Sequence, residues 1–265
     1  MADYKVVDSE KLDNDLSAVA DSIKAKTGKN EPLIFPEGFT SAIDEIRTSY
    51  GEIGKPYIDT SKITDFYYFC YDNRLNNYLD KLDTSNGTVL NNLFGSCTQL
   101  TEIPQIDTSK GTDFTSIFNG CSYLTSIPPL DTSNGTIFAG AFYGCSKLVS
   151  IPQLDISNGT KFGNMFTGCT KLETVSLTTA KSDFSINTFQ NCKALKNITI
   201  GEGWNVNIYL NYSNELTVES LHGMIENLAD LTGTTAKTFQ VGATNLAKID
   251  EEHMTMLQNK NWNYS

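Results

Sequence analysis

The chain has 265 residues, 39% of them hydrophobic, which suits a folded, globular protein of roughly one to three domains with a real core. A formal net charge of −11 sets the surface against phosphate backbones and anionic lipid, so neither nucleic acid nor membrane insertion is expected. No apolar run approaches the roughly 20 residues of a membrane helix.

From the first residue, MADYKVVDSEKLDND is polar and acidic and unlike a secretory signal. A chain made without such a signal is expected to stay in the cytoplasm or to leave by lysis or on a particle. Leu12, Leu16, Val19 and Ile23 then recur at helical spacing, with Asp8 or Ser9 as N-cap, and FPEGFTSAIDEI reads as a second short helix from Pro36. Residues 1–50 are therefore predicted to be a helical segment.

From residue 51 the chain repeats itself. Asp59, Asp83, Asp107, Asp131 and Asp155 are evenly spaced, and Cys97, Cys121, Cys145 and Cys169 keep the same 24-residue step, with Cys192 one residue early. Phe94, Phe118, Phe142, Phe166 and Phe189 stand three residues before each cysteine, and Leu100, Leu124, Leu148, Leu172 and Leu195 three after. In the first unit Asn73 takes the cysteine slot and Cys70 the phenylalanine slot. A unit this short cannot close a core alone, so residues 51–201 are expected to stack as a solenoid of about six coils. In each coil LTSIPPLD predicts a brief, proline-interrupted strand, DTSNGT a turn, and FAGAFYGC a helical or 3₁₀ turn.

The repeated polar letters admit two readings. The cysteines lack the close C-x₂-C pairs of a metal site, and a disulfide between coils is disfavoured in a reducing compartment; buried apolar thiols are the preferred reading. The column Asp83, Asp107, Asp131, Asp155 could thread calcium, but one carboxylate per coil is poor for an ion wanting 6–8 oxygens, and an Asx-turn is preferred. The sequons at Asn86, Asn134 and Asn158 arise from the repeated turn itself.

Residues 202–265 abandon the repeat. TVESLHGMIENLADL predicts an amphipathic helix, AKTFQVG a strand, and NLAKIDEEHMTMLQNKN a further helix ending before Trp262, together an α/β cap for the open end of the solenoid. His222 and His253 read as lone residues on these helices. No P-loop, GxGxxG, GxSxG or HExxH occurs, and no catalytic residue, metal or cofactor is expected. Residues that vary between coils, namely Tyr67, Tyr71, Tyr78, Tyr123, Tyr143 and Lys147, are the candidate binding positions, since tyrosine offers a flat apolar ring and a polar tip.

Spelled out, LDTSNGT…FxxxFxGCSxLTSIPxLDTSNGT over residues 59–200 resembles the BspA-like leucine-rich repeats of bacterial surface proteins. The flanks MADYKVVDSEKLDNDLSAVADSIKAKTG…LIFPEGFTSAIDEI and LTVESLHGMIENLADLTGTTAKTFQVGATNLAKI…NKNWNYS are similar to tail-associated proteins of phages and prophages of Gram-positive anaerobes. That resemblance implies a virion protein: residues 1–50 attach to other tail proteins, and an α/β leucine-rich-repeat-like solenoid faces a glycan or protein of the host surface. Self-association through the N-terminal helices is a further expectation.

Overall fold

A computed structural model describes residues 60–71, 79, 82–180 and 182–265. The expected N-terminal helices of residues 1–50, Asp59, the Asn73 slot and Tyr78 lie outside the described residues.

The coil from Asp107 shows how the repeat closes. Asp107 Oδ1 accepts the N–H of Ser109 at 2.9 Å, and Gly111 donates its N–H to Thr108 at 2.8 Å, so Asp-Thr-Ser turns the chain. Thr108 Oγ1 reaches forward to the Asp131 carbonyl at 2.8 Å. Thr112 then gives both its N–H and its hydroxyl to the Thr88 carbonyl of the preceding coil, at 2.9 and 3.1 Å. Asp113 bridges Val89 on one side and Ile137 on the other, both parallel.

The next stretch differs from the expected helical or 3₁₀ turn. Phe114, Ser116, Phe118 and Gly120 donate their N–H groups to the following coil, at Ile137, Ala139, Ala141 and Tyr143, while Ile117, Asn119 and Cys121 bond back three residues. Past its first turn a helix uses every N–H within itself. Here alternate N–H groups serve the neighbour, so the chain makes linked turns, and two residues per coil take positive φ. One column is Asn92, Ser116, Gly140 and Asn164 (φ 54 to 63), the other Ser96, Gly120, Gly144 and Gly168 (φ 57 to 79). Among the described residues every α-helix lies after residue 217.

Side chains at the repeated positions fill the interior. Phe94, Phe118, Phe142, Phe166 and Phe189 stack with centroids 5.2–5.5 Å apart, and Phe114, Phe138 and Phe162 form a second column at 5.3–5.9 Å. The coil separation sets these distances, because adjacent hydrogen-bonded chains lie about 4.8 Å apart. Trp204 closes the second column by meeting Phe184 edge-on at 5.4 Å.

On the strand side proline decides regularity. Pro104, Pro128 and Pro152 occupy one register, and the first residue after them able to donate is Ser176, followed by Thr199. Regular pairing of this register appears where the prolines stop: β1 (Thr174–Ser176) pairs in parallel with β2 (Asn197–Thr199). Earlier coils meet here through single contacts such as the Thr125 N–H to the Thr101 carbonyl.

Beyond β2 the coil pattern decays in steps. Leu210, Ser213 and Leu216 keep the Phe-x-x-Cys-x-x-Leu spacing. Ser213 bonds back to Leu210 through its N–H at 2.9 Å and donates Oγ to the Cys192 carbonyl at 3.1 Å. The segment from β3 (Ile208–Tyr209) leads to α1 (Val218–Asn227), β4 (Lys237–Gln240), α2 (Ala243–Leu246), α3 (Glu251–Asn259) and β5 (Trp262–Tyr264). The predicted last helix is thus two helices, broken where Asp250 caps α3 by accepting the His253 N–H. Trp262 begins a strand, and β3, β4 and β5 form a parallel sheet in that order.

Ser220 joins α1 to the solenoid: its Oγ accepts the Ile198 N–H at 2.8 Å and donates to the Ile198 carbonyl at 3.2 Å, occupying the free edge of β2. Lys260 satisfies the C-terminal carbonyls of α1, its ammonium 2.7–3.1 Å from those of Ile225, Glu226 and Leu228.

Candidate interaction surface

The letters held constant from coil to coil are used up internally. Cys97, Cys121, Cys145, Cys169 and Cys192 are wholly buried free thiols. Each Sγ–H donates to a carbonyl of the preceding coil, at Cys70, Phe94, Phe118, Phe142 and Phe166 respectively, over 2.9–3.1 Å. Burial pushes the Cys145 and Cys192 thiols up to about 12, the opposite of a reactive cysteine.

Asp83, Asp107, Asp131 and Asp155 each take the N–H of the serine two residues on, at 2.9–3.1 Å. Ser109 and Ser157, through hydroxyl and N–H, hold the Asp107 and Asp155 carboxyls below the usual range. The sequon asparagines bridge coils too: the Nδ2 groups of Asn86, Asn134 and Asn158 donate to the carbonyls of Ser61, Ser109 and Ser133.

What remains outside is the variable set. Tyr67, Tyr123 and Tyr143 stand 45%, 51% and 45% exposed. Tyr123 and Lys147 hold the same position in adjacent coils, and the Lys147 ammonium lies 3.4 Å above the Tyr123 ring centroid. Tyr67, Tyr68 and Tyr71 form an edge-to-face chain with centroids 4.3 and 4.6 Å apart. Tyr71 is half-buried, lies against Gly95 and receives the Ser96 hydroxyl at 3.0 Å, so it braces as much as it presents.

The structure adds exposed Val149 and Ile186 to this set. Ile186 falls in the Tyr67 column once the one-residue deletion is counted, a signal the repeat phasing carried. A different juxtaposition escaped the sequence reading altogether: His222 of α1 and His253 of α3 stack with ring centroids 3.6 Å apart, beside Asp250.

Six copies of the BspA type leucine rich repeat region match the chain over residues 88–217. This region is a BspA-type leucine-rich-repeat solenoid. The match runs through Ser213, in line with that residue's place at a degenerate cysteine position. No curated protein and no solved structure matches the chain. BspA-type repeats point to surface adhesion and protein interaction, and such repeats are typically non-enzymatic. Among the described residues no helix is long and apolar enough to cross a membrane.

Proposed function

We propose that the chain is a phage tail or tail-tip protein whose BspA-type solenoid recognises a glycan or protein on the host surface. One observation carries the binding role: the constant residues of each coil are consumed in packing and inter-coil hydrogen bonds, while aromatic and cationic side chains occupy the exposed, variable positions. Tyr123 under Lys147 is the best-defined element, a ring and a charge on the outside of adjacent coils. Tyr67, Tyr143 and the half-buried Tyr71 extend it, and Tyr78 belongs to the same proposal from its sequence position.

In this reading residues 1–50 attach to other tail proteins, residues 51–201 are displayed, and residues 202–265 form an α/β cap. The Ser220–Ile198 exchange, which covers the edge of β2, supports the capping role. The tail assignment itself rests on the likeness of the two flanks to phage tail-associated proteins. A second reading, a cell-surface adhesin, is favoured by the BspA-type repeat alone.

Fluorescently labelled protein is expected to bind cells of a Gram-positive anaerobe from a panel of candidate hosts and to block phage adsorption to the same strain. Tyr123→Ala with Lys147→Ala should reduce both effects at unchanged melting temperature. Binding to cells with no effect on any phage, together with surface labelling of the producing bacterium, would support the adhesin. No cell binding at micromolar concentration, with the protein found on virions by immunogold, would leave a purely structural tail piece.

A further inference from the structure

The chain contains only two histidines, and the fold brings both to one place. His222 lies on α1 with Glu226 one turn on, while Asp250 caps α3 and His253 sits in its first turn. His222, Asp250 and His253 offer three ligand atoms all within 4.8 Å of one another. Asp250 Oδ1 meets His253 Nδ1 at 2.7 Å, and Asp250 Oδ2 lies 3.7 Å from His222 Nε2. Glu226 Oε1 stands 3.5 Å from His253 Nε2.

Two features set this cluster apart from an ordinary helix cap. The Nε2 atoms of both histidines are buried without a hydrogen-bond partner, and His253 as a whole is only 8% exposed. A buried imidazole nitrogen normally finds a partner, and each of these has only a carboxylate oxygen at 3.5 Å or more, Glu226 for His253 and Asp250 for His222. The two carboxylates divide the work: Asp250 offers oxygen between His222 Nε2 and His253 Nδ1, and Glu226, 3.5 Å from His253 Nε2, stands where a carboxylate orients a ligating imidazole. Lys260 does not occupy the site, because its ammonium is spent on the carbonyls of Ile225, Glu226 and Leu228.

We infer that His222, His253 and Asp250, with Glu226 in reach, form a site for a divalent transition-metal ion, Zn²⁺ being the best fit to two imidazoles and carboxylate oxygen. Tetrahedral ligands at about 2.0–2.1 Å from zinc lie roughly 3.4 Å apart, a separation comparable with the 4.8 Å within which the three atoms already lie. The stacked rings must tilt apart for His222 Nε2 and His253 Nδ1 to converge, and the Asp250–His253 hydrogen bond must open as the ion enters. The ion would staple α1, whose Ser220 holds the edge of β2, to α3, and would therefore lock the C-terminal segment to the solenoid.

The test is a ZnCl₂ titration of the untagged chain, kept reduced, at neutral pH. Calorimetry should show one ion per chain. At a hundredfold excess over Kd the melting temperature should rise by about 5 °C. Long-range ¹H–¹⁵N spectra should show both histidine rings shifting together with that single event, a readout requiring no variant. Co²⁺ should give the intense visible bands of a low-symmetry site. His222→Ala and His222→Gln remove a ring that makes no hydrogen bond but packs on His253, so each is read against its own metal-free melting temperature, and either should weaken Zn²⁺ binding at least tenfold. Zn²⁺ bound with either ring unmoved, binding undiminished in both His222 variants, or no binding up to about 100 times a micromolar Kd would overturn the assignment.

Discussion

Cys145 offers a sharp test of what the cysteine column does. The thiol is fully buried, and its Sγ–H donates to the Phe118 carbonyl at 3.1 Å. If the column matters only as apolar filling, Cys145→Ser is the worse replacement, because a buried hydroxyl without a partner costs about 1–3 kcal/mol. If the inter-coil bond matters, serine keeps a donor aimed at the same carbonyl and should cost under about 1 kcal/mol. Cys145→Ala then loses both the bond and the sulfur: about 0.5–1 kcal/mol for a weak S–H donor, plus about 1–1.5 kcal/mol for the deleted atom and its cavity. The expected order is wild type, then serine, then alanine about 1.5–2.5 kcal/mol down. Ser213 shows a hydroxyl accepted at the next cysteine position, though it donates to the Cys192 carbonyl and not to the carbonyl of Phe189 that the cysteine pattern would use. Urea unfolding with unchanged m-values measures the series. A serine variant less stable than the alanine variant would refute the hydrogen-bonding role.

Two further predictions rest on the turn chemistry. Ser116 holds φ 54 where the next coil has Gly140 at φ 63, so Ser116→Gly relieves left-handed strain and should raise the melting temperature by about 2–4 °C; Gly144→Ala, at φ 71, should lower it by a similar amount. The Asp107 and Asp155 carboxyls are held below the usual range by Ser109 and Ser157. Their stabilisation is full above the unfolded value near 3.9 and is lost as pH falls through the lowered native values. Asp107→Asn with Asp155→Asn keeps both turns uncharged, so the fall in melting temperature between about pH 4 and pH 2 should be shallower in that variant; an identical fall would place the acid sensitivity elsewhere.

The central architecture was legible because a repeat states its own geometry several times over. A phenylalanine, a cysteine and a leucine at fixed offsets leave one solution, an equivalent buried row in every coil, and the structure puts all of them inside. The local form of FAGAFYGC was not legible. Its alanines and glycines read as a helical turn, but the carbonyls of the next coil compete for every second N–H, and that demand exists only once coils are stacked. Tertiary hydrogen bonding overrode local propensity, and Gly140 and Gly144 are the trace it left in the sequence.

The histidine pair failed to show for the opposite reason. His222 and His253 are 31 residues apart with no shared motif, and the end of α1, strand β4, helix α2 and the start of α3 separate them in the chain. Only the packing of α1 on α3 supplies the 3.6 Å stack. The same contrast governs the exposed face. Tyr123 and Lys147 are one column position in neighbouring coils, so the period alone predicts that they meet, and a cation 3.4 Å over the ring is the result. Recognition on a solenoid is therefore best sought where the period is kept and the letter changes. There a substitution alters the surface offered to a partner without touching the inter-coil bonds that hold the coil.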